Sequence, residues 1–408
     1  MLNKRYVNTW TIILTMLTLV GLGAWVYQLA NGLSATGMRN IVSWGLYITL
    51  FMFFVGLSAG GLIVSSSATV FDLKQFKPVA KPAVLLSSTC IIVATLLILV
   101  DLGRPERFLN LFFHPQFNSP LIWDVIVIGI YLVTSLVYLY SMTRAEPSPG
   151  NLRVLSAIAL PVAILVHSVT AWIFGLQIAR PTWHSALMAP IFVASALDSG
   201  LALLLIVLIG LNKFTSFKVE KKLLSTLGGL LAVFIAVDVY FVFSEILTGL
   251  YPGEEHLMGY LQLILSGNLA PFFWGEIILG AVVPFLILVW PKNRLKSSLM
   301  VLASALVVVG VLFKRVWLLF SSFLLPLIGF APGVTLGSYQ IPETFGQAAT
   351  PGIWATVGSY APTWVELAIV MGICAFGALI FTVGTYFFLT PAQTAETLPA
   401  RGGTVNAT

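Results

Sequence analysis

The sequence predicts an all-α integral membrane protein of about ten spanning helices. Three observations carry that prediction. Hydrophobic residues make up 58% of the 408 and charged ones only 9%, against roughly 25% charged in soluble domains. Apolar runs of about 20 residues, the length that crosses a hydrocarbon core of about 30 Å, recur along the chain. Lys and Arg collect in alternate links between those runs. So much apolar surface has no aqueous fold to hide in, so the solvent must be lipid.

The elements follow in order. The run 9–30, after Lys4 and Arg5, is longer than the 7–15 residues typical of a signal-peptide core, and reads as a retained spanning helix. The next runs are 41–70, 82–101, 121–142, 153–177, 184–211, 223–250, 271–290, 297–322 and 364–389. The stretch 257–269 is apolar but too short to span, and reads as interfacial or re-entrant. Residues 326–363 form a long loop rich in Gly, Pro and aromatics (Tyr339, Trp354, Tyr360), expected to pack on the bundle or a partner. The tail 391–408 is small and polar.

Orientation follows from the basic residues. Fifteen fall on the N-terminus, the even links and the tail; only Arg39, Arg104, Arg107 and Arg180 fall in odd links. That split predicts both termini in the cytoplasm. The net charge of +6 is spread over short links rather than one patch, which argues for leaflet anchoring and against nucleic acid. Cys90 and Cys374 stand alone, so no iron–sulfur cluster or zinc knuckle is expected in this chain.

Ionisable groups inside spans cost at least ~2.5–3.5 kcal/mol each and face bundle interiors. They are Asp124, Asp198, Asp238, Glu245, Glu276, Glu366, Lys314, Arg315 and His167. Six acids against two bases leave some acids protonated, hydrated or otherwise paired. Lys314 is roughly 26 Å from the inner end of its helix at 1.5 Å per residue, hence near the outer surface. Glu276 is expected to pair there with Lys314 or Arg315. Asp198 and Asp238 lie closer to the middle, and together with Glu245 they are candidates for a proton route toward the cytoplasm. Of four histidines only His167 is clearly embedded, so a bis-histidine haem is not expected, nor is a zinc site. Gly56-x-x-x-Gly60 reads as a close helix-packing motif. The outer links break the charge bias, with Asp101, Arg104 and Arg107 in one and Arg180, Trp183 and His184 in another.

Four stretches then become informative together: WGLYITLFMFFVGLSAGG (44–61), DLGRPERF (101–108), FFHP with SPLIWD (112–124), and ARPTWHSALMAP (179–190). Over about residues 40–320 the chain resembles the NrfD/polysulfide reductase membrane-subunit family, and its ten spans resemble the longer branch. The resemblance implies a multi-pass subunit of the prokaryotic cytoplasmic membrane, active only in a complex. Such a subunit binds menaquinone or ubiquinone near the outer face and carries no haem. It exchanges electrons with an iron–sulfur subunit holding 4Fe–4S clusters, itself wired to a molybdopterin, hydrogenase or cytochrome subunit. It also implies two four-helix bundles, 41–180 and 181–325, flanked by the helices in 1–40 and 364–390. Shorter relatives place a quinone-holding histidine in the first bundle helix; YITLFMFFVG (47–56) has none, so His167 or His184 is expected to take over.

Quinol oxidation releases protons as well as electrons, so the headgroup contacts must pass protons. The expected set is His167 with Asp124 or Asp101 at the headgroup, Arg180 and Arg104 as electrostatic supports, and Trp183 and Tyr47 as walls. Two rival classes share the spans and buried charges: a secondary transporter with a midplane site, and a membrane anchor that binds no quinone.

Overall fold

The protein is described here from a computed structural model, in residues 8–39, 41–144, 148–325 and 359–389, the side chains of Glu255 and His256 excepted. Lys4, Arg5, the His256 side chain, most of the loop 326–363 and the tail 391–408 lie outside the described residues. All regular structure among the described residues is helical. Ten helices among the described residues are long and apolar enough to span: α1 (Thr9–Asn31), α2 (Leu46–Val70), α3 (Lys77–Asp101), α4 (Pro120–Thr143), α5 (Pro149–Gly175), α6 (Met188–Phe214), α7 (Lys221–Leu250), α8 (Ala270–Val289), α9 (Ser297–Phe323) and α10 (Trp364–Phe388).

Local chemistry sets the ends. Asn8 with Thr11, and Thr363 with Glu366, form capping boxes that satisfy the free N–H groups opening α1 and α10. Proline opens α4 and α5, where its missing N–H costs nothing. Four starts differ from expectation by four or five residues: α3 and α5 begin earlier, at Lys77 and Pro149 rather than 82 and 153, and α2 and α6 begin later. α2 begins at Leu46 rather than 41, because the Leu46 N–H donates to the Tyr360 hydroxyl at 2.7 Å. α6 begins at Met188 rather than 184, because residues 180–184 close a turn of their own on the Arg180 carbonyl. The apolar stretch before α8 forms a short helix, Glu255–Leu265, packed on α7 and α9.

Helices α2 to α5 pack around one another, and α6 to α9 do the same. The two groups meet where α2 crosses α6, with Gly60 backbone against Gly200 backbone; a Cβ on either would strike the other chain segment. Gly280 of α8 meets Gly310 of α9 in the same manner, and Gly21 of α1 meets Gly372 of α10. In lipid, helices associate by close packing and such glycine contacts make it possible. α1 and α10 pair with each other, and α10 lies against α3. One end of the molecule carries the lysine-rich links before α3, α7 and α9; the other carries the links after α3 and α5.

α8 is not a uniform α-helix. Gly275–Val282 is π-helical, a geometry that accommodates an extra residue in a helix.

Candidate functional site

Most of the buried ionisable groups inside the spans form two clusters, one in each half. The larger lies between α6, α7, α8 and α9. Lys314 Nζ of α9 reaches Asp238 Oδ2 of α7 at 2.5 Å and Glu276 Oε1 of α8 at 2.9 Å. Glu276 also accepts from Trp317 Nε1 at 2.6 Å. The next residue, Arg315, points about 100° away around the helix, toward α6. Its Nη2 donates to Ser195 Oγ at 2.6 Å, and its guanidinium sits 4.1 Å from the Phe192 ring centroid. Nε and Nη1 of Arg315, and one oxygen each of Asp198 and Asp238, have no hydrogen-bond partner. Three acids thus face two bases, all excluded from solvent. Glu245, two turns along α7 from Asp238, accepts instead from Ser185 Oγ at 2.6 Å.

The smaller cluster joins α4, α5 and α2. Thr170 Oγ1 donates to Asp124 Oδ1 at 2.6 Å. His167, one turn before Thr170 on α5, places Nδ1 2.6 Å from the Ala163 carbonyl and Nε2 2.9 Å from the Val55 carbonyl. No basic side chain makes an ion pair with Asp124 among the described residues.

The remaining expected residues lie at the lysine-poor end, in separate places. Trp183 Nε1 donates to the Leu318 carbonyl at 2.8 Å, and its ring stacks on Trp44 at 6.0 Å. Arg180 donates to Ser322 and lies 4.8 Å over the Phe323 ring, and partial burial lowers its pKa. His184 binds the Gly175 carbonyl at 2.9 Å. Tyr47 is turned the other way, donating to Gln28 Oε1 at 2.6 Å, while Gln28 ties to the Val100 carbonyl. Asp101 is near this group, with one buried oxygen unpartnered. Arg104 is solvent-exposed beside Glu106. Glu366, missing from the expected site, accepts from Gly37 N, Thr363 N and the Tyr360 hydroxyl. Burial and the Glu366 carboxylate raise the Tyr360 pKa.

The expected set is therefore not one constellation. Asp124 meets Thr170, one helical turn from His167; Arg180, Trp183 and His184 form a second group; Tyr47 and Asp101 belong to a third. Sequence reading missed Thr170, Ser195, Trp317 and Gln28. One overlooked signal was available. Pro120-Leu-Ile-Trp123-Asp124 opens α4, and Pro271-Phe-Phe-Trp274-Gly275-Glu276 opens α8. Both tryptophans donate back to a preceding carbonyl, of Phe117 and Leu265. Both carboxylates accept from the following helix, from Thr170 and Trp317, three residues after His167 and Lys314. The second motif has one extra residue, Gly275, and the π-helical stretch starts there. The supporting contacts match too: His167 binds the carbonyl five residues before Gly60, and Arg315 the hydroxyl five before Gly200. The two halves repeat one polar plan, with an imidazole in the first and two cations in the second.

Fold and site define a ten-helix membrane protein with an imidazole–carboxyl cluster in one half and a buried ion network in the other. The family model for "Polysulphide reductase, NrfD" matches residues 34–326, well over half of the chain. The chain belongs to that family. It is 39% identical to a putative dimethyl sulfoxide reductase membrane subunit of Halobacterium salinarum, over 95% of this chain and 92% of the relative. It is 28% identical to a selenate reductase subunit of Mesobacillus selenatarsenatis, over 94% and 93%. The Hdr-like menaquinol oxidoreductase integral membrane subunit of Archaeoglobus fulgidus is 29% identical over 96% of both chains.

Proposed function

We propose that this chain is the quinone-reactive membrane subunit of a respiratory oxidoreductase, with its headgroup site at Asp124, Thr170 and His167. The carrying observation is a buried carboxyl held by a hydroxyl, one helical turn from an imidazole, with no cation paired to it among the described residues. These are groups that gain and lose protons, which the chemistry of a quinol demands. A carboxyl, a hydroxyl and an imidazole are group types that a quinone headgroup takes as partners; when bound, the quinone would supply the two-electron, two-proton exchange. His167 faces a carbonyl oxygen with each ring nitrogen, so a doubly protonated ring donates at both and a neutral ring at only one. Thr170 orients Asp124 toward α5. Arg180, stacked between Trp183 and Phe323, holds positive charge at the lysine-poor end. The A. fulgidus relative, described as a menaquinol oxidoreductase subunit, supports menaquinone over ubiquinone.

Electrons leave through a partner, because the sequence carries no motif for an acceptor cofactor. An iron–sulfur subunit with 4Fe–4S clusters docks at the lysine-poor end, which the charge bias makes the outer face of a prokaryotic cytoplasmic membrane. The rest of the complex is a molybdopterin, hydrogenase or cytochrome subunit. Asp198, Asp238, Glu245, Glu276, Lys314 and Arg315 form a proton route across the second half.

The test is quinol turnover by the purified complex, with binding of a quinone analogue followed by thermal shift. Asp124→Asn and His167→Ala are expected to lower turnover by about 10²-fold or more, the usual worth of a proton-transferring group. Wild-type turnover in both variants would show that the site lies elsewhere. A quinone-free chain active without partners would point to a transporter.

A further inference from the structure

At the lysine-rich end, an apolar groove of about 520 Å³ runs between α7 and α8. Gly229, Ala232 and Ala236 of α7 form its floor, and Phe285 and Val289 of α8 its wall. It opens outward, toward the lipid: Val233, Tyr240 and Val289 along it are exposed. Arg294, in the helical turn Pro291–Arg294, closes the end. Its side chain lies over Gly228 and Gly229, where a Cβ at Gly229 would collide with the guanidinium. Nη1 reaches the Ser225 carbonyl only at 3.5 Å, and Nε is buried with no hydrogen-bond partner. Arg294 makes no ion pair among the described residues. Lys292 and Lys296 flank it in sequence, and Lys221 and Lys222 begin α7 just before Ser225; Glu220, ahead of them, is the only carboxylate in these stretches.

We propose that this groove binds an acyl chain of an anionic phospholipid, phosphatidylglycerol or cardiolipin, with the lipid phosphate on Arg294. Three features converge on that ligand. From Gly229 to Tyr240 the groove follows α7 for about 17 Å at 1.5 Å per residue. One leaflet is about 15 Å deep, half of a hydrocarbon core of about 30 Å, so a chain whose phosphate sits at Arg294 fills the groove lengthwise. A guanidinium held at a helix–helix seam by one long hydrogen bond, with no ion pair among the described residues, matches the oxygens of a phosphate, and basic pockets between spanning helices take anionic headgroups. The four neighbouring lysines select against zwitterionic lipid, whose headgroup brings a cation of its own. The glycine pair completes the design: a bulkier residue at position 229 would push Arg294 out of the seam.

The experiment isolates the full chain, in its complex, from native membranes in mild detergent. Retained phospholipids are then quantified by class with mass spectrometry. Anionic phospholipid is expected to exceed its share of the membrane and to fall about fivefold or more in Arg294→Gln. It is also expected to fall in Ala236→Phe, which fills the groove on its lipid-facing side and leaves every charge in place. Retained lipid that mirrors bulk membrane composition overturns the proposal. So does wild-type retention in Ala236→Phe, because the headgroup contact would then not use the groove. Should Arg294→Gln fail to assemble, the Ala236→Phe arm decides alone.

Discussion

Lys314 concentrates most of the electrostatic risk in this molecule. It is fully buried and bridges two carboxylates from two other helices. Removing one partner of a buried pair typically costs about 3–5 kcal/mol, because the other charge is stranded. Lys314→Met is therefore expected to lower the unfolding temperature sharply in detergent, with two acids left facing each other. The triple variant Lys314→Met, Asp238→Asn, Glu276→Gln removes the charges together and is expected to recover most of that loss, as neutral isosteres of buried ion pairs do. Equal melting temperatures for the single and triple variants would show that the network is not held by charge balance. By contrast, the exposed Arg104–Glu106 pair should contribute little: Arg104→Gln is expected to shift stability by less than about 1 kcal/mol. At this scale the sequence revealed which side chains had to be buried, because ionisable groups inside apolar runs have nowhere else to go. It did not reveal their partners. Lys314 is 76 residues from Asp238, and nothing local chooses Asp238 over Asp198. The hydrogen bond from Tyr47 to Gln28 was hidden for the same reason: Gln28 reads as an ordinary polar residue near a helix end.

Among the helices, glycine contacts set the geometry. The α2–α6 crossing brings Gly60 and Gly200 together without side chains between them. Gly60→Leu is expected to force the two halves apart and cost about 1–3 kcal/mol or more, as overpacking does. Gly129→Leu on α4, where open space surrounds the position, should be nearly neutral; measuring both by thermal unfolding separates packing from helix propensity. α8 offers a sharper case. Deleting Gly275 would restore the shorter spacing of the α4 motif and is expected to turn Glu276 away from Lys314 and Trp317, so the loss of stability should approach that of Glu276→Ala. A circular-dichroism spectrum unchanged in helix content, with a lowered melting point, is the predicted outcome. The spans themselves were legible because lipid imposes one rule, about 20 apolar residues per crossing. The exact starts of α2 and α6 were not, because a distant tyrosine hydroxyl and a local turn decide them. The π-helical stretch was legible only by comparing two openings of the same chain, a comparison that needs both motifs aligned.

Taken whole, the molecule is two similar halves with unlike interiors. The first keeps an imidazole and a carboxyl without a paired cation among the described residues; the second keeps three acids and two bases together. The orientation drawn from basic residues has a direct check. Single cysteines placed at Lys77 and at Phe113, on a background lacking Cys90 and Cys374, should label from opposite sides of sealed membrane vesicles, Phe113 from the side away from the cytoplasm. Labelling of both from one side would overturn the ten-span topology.

The Gly21–Gly372 contact has a consequence for how the chain is made. α1 leaves the ribosome long before α10, and much of α1 is exposed apart from that seam. At about 5–20 residues per second, the interval between them is on the order of tens of seconds. Through that interval the earlier helix waits in the bilayer without its mate, open to lateral diffusion, to quality-control proteases and to capture by another nascent subunit. The later helix acts as a clasp: its arrival certifies that both halves between them have been synthesised. A chain truncated before Trp364 should be recognised by its widowed α1 and degraded.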